Sequence, residues 1–143
     1  MTTRPMRTPL AAAVFLLAAL PAAAATCTGI SAVGLGFGSY DVFSALPDDT
    51  AGSLTYSCTA APAVSFSASL DGALGPREML HVFGPDVLRY DVYSDAARTV
   101  AWTTDPVLLK PGNRTIPFYG RIFAGQDVAT GFYADAVTIT LNF

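Results

Sequence analysis

The sequence predicts an all-β sandwich, and three observations lead there. Apolar residues recur with a period of two in several short segments. Glycine, proline and aspartate punctuate the chain between those segments. No window sustains apolar residues at i, i+3, i+4 and i+7 over three helical turns. Of 143 residues, 12 are glycine and 10 proline, so turns are frequent and long helices disfavoured.

The first segment reads as a leader rather than part of the fold. Arg4 and Arg7 make a positive start, and Leu10 to Leu20 is an unbroken apolar run of 11 residues, too short for a spanning helix. Pro21 breaks it, and Ala23-Ala24-Ala25 offers the small-residue pattern of a cleavage site. The expectation is a signal peptide over residues 1–25, followed by one domain over residues 26–143. A core helix made from residues 10–20 is the alternative. No later stretch is apolar enough to cross a bilayer as a helix.

About seven or eight short strands follow. Ile30 to Phe37 is the first, with Val33, Leu35 and Phe37 alternating against Gly34, Gly36 and Gly38; that glycine face predicts a close approach by another segment. Leu54 to Cys58 alternates after Gly52. Val64, Phe66, Ala68 and Leu70 alternate with serines up to the Asp71-Gly72 turn. Leu88, Tyr90 and Val92 place Arg89, Asp91 and Tyr93 opposite. Val100 to Trp102 and Ile116 to Phe123 read as extended. Tyr133 precedes the cleanest pattern, Val137, Ile139, Leu141 and Phe143, with Thr138, Thr140 and Asn142 facing away.

Cys27 and Cys58 are the only cysteines, and export to an oxidising compartment favours pairing them over two free thiols. Closing the intervening loop stabilises by roughly 3.5–4 kcal/mol in the chain-entropy model. A bridged all-β domain of this length fits an immunoglobulin-like sandwich.

Charge excludes some partners. The formal net charge is −3, and removing Arg4 and Arg7 with the leader deepens it to −5. With a single lysine, such a surface argues against nucleic acid and anionic membrane. Little catalytic chemistry is on offer, and no cofactor is expected. His81 is the sole histidine, with no Gly-x-Ser-x-Gly elbow, and reads as a turn residue. Gly34, Gly36 and Gly38 lack the helix that a phosphate loop feeds. Asp48-Asp49 lacks EF-hand spacing and reads as solvated loop carboxylates. Asp91 and Asp95 could form a hydrolase pair, but nothing places them at a cleft. Asn113-Arg114-Thr115 is a glycosylation sequon. Trp102 and the tyrosines could line a sugar platform, although a sandwich core is the expected place for them.

A set of motifs in order carries a resemblance. Phe37-Gly38-Ser39-Tyr40-Asp41 follows the first cysteine, and Gly52-Ser53-Leu54-Thr55-Tyr56-Ser57-Cys58 leads into the second. Arg77-Glu78-Met79 and Leu88-Arg89-Tyr90-Asp91-Val92-Tyr93-Ser94-Asp95 come next. Phe118-Tyr119-Gly120-Arg121-Ile122, Gly125-Gln126 and Gly131-Phe132-Tyr133-Ala134-Asp135 complete the set. Together, over residues 27–143, they resemble the spore coat protein U domain family, which includes pilin subunits of the archaic chaperone–usher pathway.

The resemblance implies an incomplete Greek-key immunoglobulin-like sandwich lacking its last strand. It implies partners as well: a periplasmic chaperone that fills the gap, an usher, and neighbouring pilin subunits that replace the chaperone. The edge and groove beside the missing strand are expected at Val137, Ile139, Leu141 and Phe143. Two departures stand out: Trp102-Thr103 replaces the family's Trp-Gly pair, and Thr26 alone precedes Cys27 after cleavage. A shaft pilin has a donor segment at that place, so the expectation is a subunit that accepts a strand without giving one. That position is the fibre tip, although tip adhesins of the pathway have two domains.

The leading functional reading is therefore a non-enzymatic exported subunit that passes through the periplasm to a fimbria or cell surface. A stand-alone secreted or spore-coat protein is the alternative, and a sugar-binding or enzymatic sandwich a further one. A transmembrane β-barrel shares the terminal phenylalanine, but the strands read too short and the prolines too many.

Overall fold

A computed structural model describes residues 25–59, 66–71 and 76–143. Apart from Ala25, the expected signal peptide lies outside the described residues, as does Val64. The described residues form nine strands and no helix, and every strand pairing is antiparallel. In chain order the strands are β1 (Cys27–Val33), β2 (Asp48–Cys58), β3 (Phe66–Leu70), β4 (Arg77–His81) and β5 (Val87–Tyr93), then β6 (Val107–Leu109), β7 (Gly112–Ile122), β8 (Tyr133–Ala134) and β9 (Ile139–Asn142). They make a six-stranded sheet ordered β1-β2-β7-β5-β4-β8 and a three-stranded sheet ordered β6-β3-β9. The all-β, immunoglobulin-like expectation holds.

The β2–β7 ladder is the spine. It runs in unbroken register from Asp48 opposite Ile122 to Cys58 opposite Gly112. Alternation decides which face is buried: Leu54, Tyr56 and Cys58 of β2 meet Phe118 and Ile122 of β7, with Leu88, Tyr90 and Val92 from β5. Trp102 packs on Phe118 with ring centroids 5.7 Å apart, so it is a core aromatic. Pro117 has no N–H to give, and it lies beyond the stretch of β7 that β5 pairs, Tyr119 to Ile122.

Cys27 and Cys58 face each other across β1 and β2 and are joined, with Cα atoms 4.1 Å apart. Just beyond the bridge, β1 carries a bulge between Thr28 and Ser31, where Gly29 takes φ 60°. The bulge resets the alternation after the disulfide.

Three expectations need correction. The first strand is Cys27–Val33, not Ile30 to Phe37; residues 34–38 belong to no strand, and Gly38 takes φ 77°. A Cβ at Gly34, Gly36 or Gly38 would meet nothing within 4 Å, so these glycines do not mark a close approach. That approach occurs at Gly52, where a Cβ would sit 2.5 Å from the Phe118 ring and from the Val33 carbonyl. Asp49 is not a solvated loop carboxylate. It lies in β2, with its oxygens 2.7 and 2.8 Å from Arg121 and 3.4 Å from Arg98. The hydrogen bond from Arg121 outweighs the opposing effect of burial and holds the Asp49 carboxyl below its ordinary range.

Strands β4 and β6 carry no period-two pattern in the sequence. β4 was legible only as the Arg77-Glu78-Met79 motif, and β6 is three residues of edge strand.

Candidate functional site

The two sheets part along one side, leaving an apolar groove of about 340 Å³. One wall is the end of β1 and the segment after it, with Ala32, Gly34, Leu35 and Phe37. The opposite wall is Tyr133 to Asp135 with Val137 and Ile139, and Met79, Tyr90, Val92 and Phe118 form the floor. A second hollow of about 490 Å³ shares Leu35, Phe37, Met79 and Tyr133 with the first and carries the depression on toward Val128 to Phe132. Leu35 and Phe37 are held close to the large sheet because Gly120 has no side chain there. A Cβ at Gly120 would lie 2.7 Å from both.

Both strands beside the groove have a free edge. Among the described residues β1 pairs only with β2, and β9 pairs only with β3. Their outer N–H and C=O groups are available to an added strand.

The four residues expected at this edge are not equivalent. Val137 and Ile139 line the groove. Leu141 is half-buried against the core, and Phe143, past the last ladder pair, is 53% exposed. The other wall, Leu35 and Phe37, was not assigned to the site from sequence, although its alternation was visible.

The floor has one polar spot. Tyr90 donates a hydrogen bond of 2.6 Å to Asp135 Oδ2. Arg77 Nε donates to the Tyr90 hydroxyl at 3.2 Å and to Asp135 Oδ2 at 3.3 Å. The same guanidinium reaches across to Asp71, through Nη1 to its carbonyl and through Nη2 to Oδ1 at 3.3 Å. Asp71 in turn exchanges backbone and side-chain hydrogen bonds with Thr138 at 2.9 and 3.0 Å. One arginine thus ties the start of β4 to the end of β3 and to both ends of the 135–138 wall. Burial, then the Asp135 carboxylate, push the Tyr90 hydroxyl up, so it stays protonated and donating. Burial raises the Asp71 carboxyl, but the hydrogen bonds from Thr138 and the Arg77 charge outweigh it and hold the group below its ordinary range.

A second feature gathers at one end of the large sheet. Phe43, Phe83 and Phe132 are 93, 87 and 78% exposed, on the segment before β2, the β4–β5 turn and the segment before β8. These segments are neighbours. The Val82 N–H bonds the Phe132 carbonyl at 2.8 Å, and Val42 and Phe132 line the same hollow. Tyr40 and Gln126 anchor the loops beneath: the Tyr40 hydroxyl donates to the Phe123 carbonyl, and the Gln126 amide bonds both backbone groups of Arg89.

His81 is the last residue of β4, not a turn residue; its ring accepts from the Phe83 N–H at 3.1 Å and stacks edge-on to Tyr133. Asp95 caps its own loop through Thr99 and Val100, and Asp91 accepts from the Val92 N–H. Asn113 is exposed at the start of β7. Among the described residues no three His, Cys, Asp or Glu side chains form a metal-sized cluster, and no helix is long and apolar enough to cross a membrane.

Fold and groove together define a class: disulfide-bonded antiparallel sandwiches with an apolar groove between two free strand edges. Residues 13–140 match the Spore Coat Protein U domain, and the chain belongs to that family. Membership makes it a structural, non-enzymatic protein. It is 32% identical to Protein U of Myxococcus xanthus over 167 aligned positions, which cover 92% of this chain and 93% of that protein. Its fold is similar to that of a chain in the CsuC–CsuE chaperone–tip adhesion subunit pre-assembly complex, from the archaic chaperone–usher Csu pili of Acinetobacter baumannii. The TM-score is 0.59 at 20% identity over 83% of this chain. The match spans 40% of that longer chain.

Proposed function

We propose that this protein is an exported subunit of a surface fibre, assembled by donor-strand complementation. The observation that carries the reading is the apolar groove between the free edges of β1 and β9. An extended segment laid there gains main-chain hydrogen bonds from the edges and buries its alternate side chains in the groove. A periplasmic chaperone supplies the segment in transit, and a neighbouring subunit supplies it after passage through an usher. Residues 1–25 direct export and are removed. Val137, Ile139, Leu141 and Phe143 form the edge that the incoming strand meets.

The test is stability with and without an occupant. The mature chain alone is expected to unfold readily and to be rescued by co-expressed chaperone or an added donor peptide. Deleting Leu141 to Phe143 is expected to abolish capture. A monomer that unfolds reversibly at high stability with no partner would overturn the reading.

A tip position within the fibre is favoured by one further feature, the three exposed phenylalanines at one end. Rings held in water on separate anchored loops suit contact with an apolar surface. Immunogold labelling at distal ends only is expected; labelling along the shaft would sink the tip position. Protein on the cell surface without fibres would favour a coat role.

A further inference from the structure

The groove is apolar except at one point, and that point carries charge. Asp135 lines it between Val137 and Tyr133, with Leu35, Phe37 and Ile139 nearby. Its Oδ2 accepts from both Tyr90 and Arg77, while Oδ1 makes no hydrogen bond or ion pair among the described residues. The Asp135 side chain keeps 24% of its surface exposed, so the carboxylate is open to solvent at the groove. Arg77 is shared between Asp135 and Asp71, which leaves the trio with one negative charge in excess.

A wholly apolar strand laid over this point would strip water from a carboxylate oxygen and return nothing. A cationic donor would replace the lost water and balance the extra charge. We propose that Asp135 is a specificity-determining residue of the groove: its occupant is a partner strand with alternating apolar side chains and one lysine or arginine at the inward position facing Asp135. This rests on the strand-acceptance reading and adds the chemistry of the strand. The chain's own acidity, a net charge of −3, favours such a basic partner in the same direction.

The test uses the mature, disulfide-bonded protein and a panel of synthetic strands of alternating leucine and threonine. A lysine is stepped through each inward position, and binding is read by fluorescence anisotropy. At one position lysine is expected to bind about tenfold more tightly than leucine, and elsewhere more weakly. Asp135→Asn keeps the size of the side chain and an acceptor for Tyr90, and is expected to reduce that preference to about twofold or less. Circular dichroism and a retained disulfide verify that the variant is folded.

If peptides bind but leucine is best at every position, or the lysine preference survives in Asp135→Asn, the specificity proposal fails and strand acceptance stands. If no strand of any sequence binds, both fail. Self-association of the protein that no peptide displaces would make a second copy the occupant and would also overturn the proposal.

Discussion

The β2–β7 ladder and the groove walls differ in how their apolar residues are satisfied. The ladder pairs eleven positions on β2 with eleven on β7 and buries Leu54, Tyr56, Phe118 and Ile122 to 5% exposure or less. The groove side has β8, two residues long, and β9, four residues long, with Val137 at 38% exposure and Phe143 at 53%. Both regions have period-two alternation. What separates them is the neighbour: the inward side chains of the ladder are enclosed by the core, whereas Leu35, Phe37, Ile139 and Leu141 pack against that core on one side and remain part-exposed on the other. Apolar patterning specifies a face to be buried, but not that the same chain will bury it.

The largest expected effect comes from the end of the ladder. Cys58→Ser opens the Cys27–Cys58 loop and is expected to remove about 3.5–4 kcal/mol, a large share of a small domain's stability. Denaturant unfolding gives the magnitude. Export yield should fall with it, and two free thiols per folded wild-type chain would contradict the bridge.

Truncating one leucine in each region sharpens the contrast. Leu54→Ala, at 1% exposure, should lose about 3 kcal/mol. Leu141→Ala, half-buried on β9, should lose about half as much in the free protein. Equal losses would mean that the groove side is packed as tightly as the ladder.

The two tight glycines separate the regions again. Gly52→Ala drives a methyl against the Phe118 ring and the Val33 backbone carbonyl, which cannot swing away, and should destabilise by about 1–3 kcal/mol. Gly120→Ala meets only the ends of Leu35 and Phe37, so stability should fall less, while peptide binding in the groove weakens as that wall moves.

Lowering the pH should act in two opposed stages. Burial raises the Asp48 and Asp91 carboxyls above their unfolded values, so the native state takes up protons more readily. Stability therefore increases slightly as pH falls through those raised values. Asp49 and Asp71 are lowered, so their contribution is complete above the unfolded value of about 3.9 and is lost as pH falls below it through their folded values. A thermal-melt series from pH 7 to pH 2 should thus show a shallow rise and then a decline. Asp49→Asn should flatten the acid limb, since it removes the carboxylate that Arg121 and Arg98 hold.

The smallest stability effect is expected at the exposed rings. Phe43→Ser and Phe132→Ser should shift stability by no more than about 0.5 kcal/mol, because neither ring is buried. Adhesion to apolar surfaces is the property they should change, read by retention on hydrophobic beads.

The sequence by itself determined the class, the bridge and most of the core. Alternation at Leu54 to Cys58 and Leu88 to Val92 marks the buried faces, because a strand's side chains must point to opposite sides. Two cysteines in an exported chain leave one intramolecular pairing. Only the tertiary structure decided which glycines are crowded. Gly34 and Gly36 look special in sequence yet face open space, while Gly52 and Gly120 owe their role to strands and segments far away in the chain. The site was half legible for the same reason. Val137 and Ile139 stand out by local pattern, but Leu35 and Phe37 become the opposite wall through a sheet order that no local period encodes. Arg77, Tyr90 and Asp135 lie in three separate motifs, and only the approach of β4, β5 and the segment before β9 makes them one network. Periodicity is a property of neighbours along the chain; a groove is made by neighbours in space.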